Sequence, residues 1–249
     1  MSKRIKQTFK VTALAAALFA VYGSALAEGP ENSVSVGIGN WSSDRLQGGI
    51  YDGMRDSGAY GLLDADITKR DEATGTWLGL KARNLGVDNR EIMGEWLRQG
   101  DIGASLEFSS IRRDQPFVYN TGLRGIGTTT QTVTNITPGN GANLGLHTNR
   151  DRLTAKFFKN LGVGLNLNVS FRNEEKDGLR HWGRGGAAEF AVEPIDSTTR
   201  LLEATLSYAR DRMQLSGGFY GTSYTNANSM VTAIGSSTYY LSLPLDNKS

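Results

Sequence analysis

Few residues of this chain have the type and spacing that catalysis or metal binding needs. His147 and His181 are its only histidines, and it contains no cysteine. Neither histidine has a second ligand at the spacing of a metal site, and no nucleophile, histidine and acid follow the order of a hydrolase triad. Without cysteine the chain cannot form a disulfide or attach a c-type haem through C-x-x-C-H. We therefore expect no catalytic, cofactor-binding or metal-binding residues, and a protein that is not an enzyme.

Two carboxylates share one face of a predicted strand. Asp64 and Asp66 flank Ala65, so their side chains point to the same side. Such a pair could bind a cation, but it could also pair with Lys81 or Arg83 on the neighbouring strand. The sequence favours the ion pairs.

A polar cluster with two glycines follows the first predicted strand. Asp52, Arg55 and Asp56 form this cluster with Gly53 and Gly58. The cluster could contact a partner, but this composition is more typical of a turn that satisfies its own hydrogen bonds. The other basic residues are scattered along the strands, so a nucleic-acid partner is not expected.

The N-terminus has the three parts of a secretory signal. Lys3, Arg4, Lys6 and Lys10 precede an apolar stretch over residues 11–21, and Ala25-Leu26-Ala27 forms a cleavage site. We predict a signal peptide over residues 1–27 and one domain over residues 28–249. No later segment supplies the roughly 20 apolar residues of a transmembrane helix.

Alternation of apolar and polar residues is the main structural signal of the chain. From residue 163 to 172 every odd position is apolar, namely Val163, Leu165, Leu167, Val169 and Phe171, whereas the even positions are polar or glycine. One apolar and one polar face are typical of a transmembrane β-barrel strand. The predicted strands are 33–41, 58–68, 76–85, 90–98, 102–112, 152–159, 163–172, 201–210, 213–225 and 237–243.

The predicted connections alternate in length. Tight turns at 99–101, 160–162 and 211–212 contrast with long segments at 113–151, 173–200 and 226–236. Transmembrane barrels have short periplasmic turns and long extracellular loops, so we expect the long segments outside. Trp41, Trp77, Trp96 and Trp182 lie near segment ends, as in an aromatic girdle.

The composition fits a barrel and a secreted soluble β-protein equally. The net charge is +2 and the mean hydropathy is −0.35, as expected where only alternate residues touch lipid. A barrel must close, because unpaired backbone groups in hydrocarbon are costly. No closing strand with a terminal aromatic residue is visible. We therefore predict an all-β antiparallel transmembrane barrel of which about ten strands, the N-terminal portion, are present.

Several separated motifs resemble the MtrB/PioB family of outer-membrane barrels, which associate with decahaem cytochromes. The matching segments are YDGMRDSG at 51–58, TGTW at 74–77, RNLGVDNRE at 83–91, TGLRGIGT at 121–128, and LSLP at 241–244 with Asp246-Asn247. Some members carry a C-x-x-C pair near the mature N-terminus, which this chain lacks.

The resemblance implies a location in the bacterial outer membrane and a structural role. The barrel would surround a decahaem c-type cytochrome and position it for electron transfer across the membrane, with the haem carried by that partner. It would also contact membrane lipids and dock an extracellular multihaem cytochrome at its outer loops. A porin-like channel for small solutes is the alternative that the alternation fits equally well.

Overall fold

The computed structural model describes residues 32–134, 137, 139–183, 190–235, 240–246 and 248–249. The predicted signal peptide, residues 1–27, lies outside the described residues, as does the middle of the predicted loop 173–200, at 184–189. Within the described ranges no helix has the length and apolarity needed to cross a membrane.

The described elements are one short helix and twelve strands. The helix is α1 (Gly49–Asp52), and the strands are β1 (Ser33–Trp41), β2 (Gly58–Asp71), β3 (Thr76–Leu85), β4 (Arg90–Arg98), β5 (Ile102–Thr121), β6 (Thr130–Thr132), β7 (Ala142–Gly162), β8 (Leu165–Gly183), β9 (Phe190–Arg210), β10 (Met213–Asn226), β11 (Met230–Ile234) and β12 (Tyr240–Pro244). Nine of them form the main sheet, in the order β1-β2-β3-β4-β5-β7-β8-β9-β10, and β12, β11 and β6 form a separate cap sheet. Every pair in the main sheet is antiparallel.

One face of the main sheet is apolar across all nine strands, because residues that pair directly across strands share a face. One such row runs from Val36 through Leu63 at one edge, and another runs from Ile92 through Phe108 to Leu153 in the middle. We call this side the apolar face; its members include Val34, Val36, Ile38, Leu63, Ala65, Ile67, Leu78, Leu80, Ala82, Ile92, Trp96, Ala104, Leu106, Phe108, Leu153, Ala155, Phe157, Leu167, Val169, Phe171, Leu202, Ala204, Leu206, Leu215 and Phe219.

Many side chains of the apolar face are open to the surroundings. Ile38 is 93% exposed, Leu106 53% and Phe219 59%. A continuous apolar surface of this extent marks a membrane or protein contact. The opposite side, which we call the polar face, carries charged and small polar residues, among them Lys81, Arg83, Glu107, Asn166, Arg172 and Glu203.

The four hairpins β2–β3, β4–β5, β7–β8 and β9–β10 turn at the same end of the sheet, which we call the short-turn end. At the far end β5, β7, β8 and β9 run on past the apolar face and have 19 to 21 residues each. At about 3.4 Å per residue these extensions project roughly 30 Å beyond it.

The strand bounds confirm part of the sequence prediction and correct the rest. β1, β3 and β4 have the predicted bounds. The predicted loops 113–151, 173–200 and 226–236 are wrong as loops, since they contain the far-end extensions of β5, β7, β8 and β9 together with β6 and β11. Both faces of these extensions are polar in places, so alternation gives no signal there.

The predicted turn at 160–162 is also wrong. The β7–β8 turn consists of Val163 and Gly164, with backbone φ angles of 53° and 81°. Positive φ at both central residues is the type I′ geometry that fits the twist of a hairpin. Asn160 instead accepts a hydrogen bond from Gly162 N, 2.8 Å away, at an irregularity in the β7–β8 register. Val163 is therefore a turn residue and does not belong to the apolar face.

The predicted tenth strand, 237–243, is not part of the main sheet. Its described portion, β12, pairs with β11 in the cap sheet, and β11 pairs in parallel with β6. The described main sheet is open, with β1 and β10 at its edges.

The main sheet splits at the far end, and a buried hydrophobic cluster lies beside the split. The β7–β8 pairing ends at Thr148 and Gly178. Gly178 has a φ of 125°, and a Cβ there would lie 2.3 Å from the carbonyl oxygen of His147, so only glycine fits. Beyond this point the β5–β7 and β8–β9 hairpins separate, and Leu123, Leu146 and Val192 form a buried cluster.

Gln131 of β6 ties the cap sheet to the main sheet. Its side chain is completely buried. The Gln131 amide accepts a hydrogen bond from Val192 N at 3.0 Å and donates one to Val192 O. It thus replaces a neighbouring strand at the part of β9 that extends past β10.

The apolar face generates a direct test of sheet orientation. If it contacts lipid, Leu106→Arg places a charge in hydrocarbon at a cost of about 2–4 kcal/mol, depending on depth. Ser105→Arg, at the residue of β5 that precedes Leu106, places the same side chain on the polar face. We expect Leu106→Arg to reduce the amount of heat-modifiable barrel in outer membranes far more than Ser105→Arg. Equal assembly of the two variants would contradict the assignment of faces.

A second test addresses the Gln131 contact. Gln131→Ala leaves the N–H and C=O of Val192 buried without a partner, and each such group costs about 1–3 kcal/mol. We expect faster hydrogen exchange at the Val192 amide and easier proteolysis of residues 122–141. Thr132→Ala, on the exposed side of the same strand, is the control and should leave the exchange rate of Val192 near the wild-type value.

Candidate functional site

Charged side chains of both signs line the polar face in cross-strand rows. Three successive rows carry them, where a row is a set of directly opposed residues on neighbouring strands. The first contains Arg83, Glu91, Ser109, Arg152, Glu174 and Thr199; the second Asp66, Lys81, Met93, Glu107, Thr154, Arg172 and Leu201; the third Glu95, Ser105, Lys156, Ser170, Glu203 and Tyr220. These rows hold five cations and six anions, so the polar face is nearly neutral.

Ion pairs connect charges of opposite sign on neighbouring strands. Arg152 Nη2 lies 3.3 Å from Glu107 Oε1, and Lys81 Nζ lies 4.0 Å from Asp66 Oδ2. The second pair is half exposed, so its contribution to stability is small. Its geometry agrees with the predicted cross-strand pairing for Asp66. Asp64 is used differently, because its Oδ1 accepts a hydrogen bond from Asn84 N at 2.6 Å.

The β1–β2 connection, residues 42–57, forms a strap over the end of the β3–β4 hairpin. It contains α1, which ends at Gly53 in the left-handed conformation with a φ of 72°. A Cβ on Gly53 would lie 2.8 Å from Asn89 Oδ1 in the β3–β4 connection. Glycine therefore satisfies both the helix end and the close approach.

The strap is anchored by a buried aspartate on β5. The Asp114 side chain is 1% exposed. Arg112 donates to it twice, at 3.0 and 3.1 Å, and Arg55 Nη1 of the strap lies 3.9 Å away. Gly145 leaves room for Arg55, since a Cβ there would lie 2.7 Å from Arg55 Nη1. Two guanidinium groups therefore flank this buried carboxylate, which is the pairing that a buried acidic side chain requires.

Hydrogen bonds within the strap hold its shape. Arg45 Nη1 lies 2.7 Å from Asp52 Oδ2, and its guanidinium carbon lies 3.8 Å from the centroid of the Trp41 ring. Asp44 Oδ1 accepts a hydrogen bond from Ser57 N at 2.9 Å. This bond and one from the Ser57 hydroxyl lower the pKa of Asp44. Within the polar cluster predicted at Asp52, Arg55 and Asp56, the strap itself satisfies Asp52, through Arg45 and Met54 N, whereas Arg55 reaches out to Asp114.

Both histidines lie in the far-end extensions. His147 is directly opposite Asp114 in the β5–β7 pair. The His181 ring on β8 stacks on Tyr119 with the ring centroids 6.0 Å apart. Among the described residues no group of three or more His, Cys, Asp or Glu side chains is arranged to hold a metal ion.

The tryptophans do not form one girdle. Trp96 lies on the apolar face, opposite Leu78. Trp41 and Trp77 lie on the polar face, where Trp41 stacks on Tyr60 with ring centroids 5.8 Å apart and Arg70 lies over Trp77. The girdle interpretation is therefore wrong for Trp41 and Trp77.

Sequence reasoning missed the residues that fix the strap and the cap sheet. Asp114 and Gln131 fell in a predicted loop, and their partners Arg55 and Val192 are 59 and 61 residues away in sequence. The one available signal was the isolated acidic residue between Arg112, Arg113 and an apolar segment at 117–119.

The chain matches a known protein family over most of its length. A family model described as "Putative outer membrane beta-barrel porin, MtrB/PioB" matches residues 41–249. This range contains the strap, eight whole strands of the main sheet and the cap sheet. A search of curated proteins found no match.

The buried anchor predicts that two aspartates in contact with Arg112 contribute very differently to the free energy of unfolding. Asp114→Asn leaves two guanidinium groups without their buried counter-charge, and breaking a buried pair costs about 3–5 kcal/mol. Asp88, 3.7 Å from Arg112 Nη1, has a side chain that is 57% exposed, so Asp88→Asn should cost at most about 1 kcal/mol. Urea unfolding of the folded barrel should separate the two variants. Similar unfolding midpoints would show that Asp114 does not anchor the strap.

Proposed function

The chain belongs to the MtrB/PioB family of outer membrane β-barrel porins, and from this membership we propose that it surrounds a water-soluble multihaem c-type cytochrome. The barrel positions this partner for electron transfer across the outer membrane. The haem groups of the partner carry the electrons, while the barrel contributes position and insulation.

The single observation that carries the proposal is the nearly neutral polar face. A multihaem cytochrome is a charged, hydrated protein, and its charges cannot enter hydrocarbon without pairing or hydration. The rows through Arg152, Arg172 and Lys156 present both signs of charge from β2 to β9. Such a surface suits a large protein with charges of both signs, because it repels neither sign over a wide area.

The orientation follows from the lengths of the connections. Barrels of the outer membrane have short turns on the periplasmic side. We therefore assign the short-turn end to the periplasm, from which the cytochrome enters, and the strap and cap sheet to the outside. The projecting β5–β7 and β8–β9 hairpins are then the surface on which an extracellular multihaem cytochrome docks. Export through the signal peptide at residues 1–27 is part of the same proposal.

A porin-like channel for small solutes is the second candidate. The family description as a porin favours it, and a polar face of the same kind would line a water-filled pore. The two functions differ in whether the lumen is occupied by a protein.

Purification of the full-length protein from outer membranes in mild detergent distinguishes the two functions. We expect haem to co-purify in a fixed ratio to the barrel, measured by the pyridine haemochrome absorbance, and to remain after a wash in high salt. Barrel prepared from cells that lack haem attachment to c-type cytochromes is the control. A haem-free barrel that conducts ions as an open pore would overturn the proposal in favour of the channel.

A further inference from the structure

One row of the polar face carries no charge over seven strands, from β3 to β10, and ends on β2 at Arg70, whose guanidinium lies over Trp77. It lies next to the three charged rows, on their short-turn side. We call it the uncharged belt, and its members are Trp77, Leu97, Gly103, Phe158, Asn168, Thr205 and Gly218. With strands about 4.8 Å apart the belt is roughly 29 Å long.

Local packing explains only the centre of the belt. A Cβ on Gly103 would lie 2.9 Å from the Phe158 ring and 3.0 Å from Leu97 Cδ1, so both side chains lie flat over the glycine. Packing of an aromatic ring over a sheet glycine is a known stabilising arrangement. It does not account for the absence of charge at Asn168, Thr205 and Gly218, several strands away.

The belt borders a concave recess of about 360 Å³. Four belt residues line it, Gly103, Phe158, Asn168 and Thr205, and the adjoining row contributes Ser105, Lys156, Ser170 and Glu203. The floor is thus largely apolar or neutral, with a cation on one side and an anion on the other. A recess of this size accommodates one or two protruding side chains of a partner.

The belt also has a defined height on the barrel. Its residues Leu97 and Phe158 directly adjoin Arg98 and Lys159, at which the apolar face ends on β4 and β7 and the short turns begin. On β8 to β10 the apolar face continues to Leu167, Leu206 and Leu215. A contact at the belt would therefore close the periplasmic mouth of the lumen.

We propose that the uncharged belt is the seat of the enclosed soluble protein and restricts ion flow between that protein and the barrel. This inference rests on the proposed function. The centres of protein interfaces are depleted in charge and enriched in aromatic residues, because a charge trapped there loses its hydration. The neighbouring charged rows stay hydrated. The partner surface that fits is poor in charge at this level, offers an apolar or aromatic side chain to the recess, and is flanked by charges of both signs.

The test compares two substitutions on one strand of the full-length protein, purified with its haem-containing partner. Leu97→Lys puts a charge in the belt, whereas Met93→Lys puts the same charge two rows away, in a charged row of the same face. We expect Leu97→Lys to weaken haem retention roughly tenfold or more and to raise the KCl conductance of the complex in planar bilayers. Met93→Lys should match the wild type in both measurements.

A second variant covers the case in which Leu97→Lys does not fold, as judged by heat-modifiable migration. Asn168→Lys replaces an exposed polar side chain of the belt and should fold while showing the same loss of haem and rise in conductance. Wild-type retention and conductance in the folded belt variants, or equal changes in Met93→Lys, would overturn the role of the belt alone. A wild-type barrel without haem would overturn the proposed function as well.

Discussion

The register of the main sheet is the constraint on which the other features depend. A shift of one residue in any strand pair would move every apolar side chain of that strand to the opposite face. The sheet keeps one apolar side through eight successive antiparallel pairings, and its irregularities respect that side. Between Ala82 and Leu85 the chain gains a residue relative to β2, which brings Leu85 opposite Leu63. The polar face, with its balanced charges, is the other product of the same register.

The alternation of residue types predicts the strands only where their two sides meet different surroundings. β1, β3 and β4 lie almost wholly at the level of the apolar face, and their bounds could be read from the sequence. β5, β7, β8 and β9 continue past it, where water surrounds both sides and the alternation fades. These strands are therefore about twice as long as the sequence indicates. The position of β12 depends on its pairing with β11, which periodicity does not encode.

The same limit applies to the polar side chains. The turn chemistry of the segment around Gly53 is local, and its residues predict a self-contained polar turn. Its anchoring to Asp114 is a contact between distant parts of the chain, made possible because the β3–β4 hairpin is short and the strap can pass over it to β5. The amide of Gln131 is a similar case, since a polar residue in a glycine-rich and threonine-rich segment gives no hint of complete burial.

The number of strands in the main sheet has a geometric consequence for its two edges. Nine antiparallel strands are an odd number, so β1 and β10 run in the same direction. A direct seam between them would be parallel, with slanted and less favourable hydrogen bonds than the rest of the sheet. The edge of β10 already pairs with an antiparallel segment. Tyr224 exchanges two backbone hydrogen bonds with Ser249, at 2.7 and 3.0 Å, next to an antiparallel bridge between Thr225 and Lys248. This edge is therefore a template for a neighbouring strand that runs back toward the short-turn end.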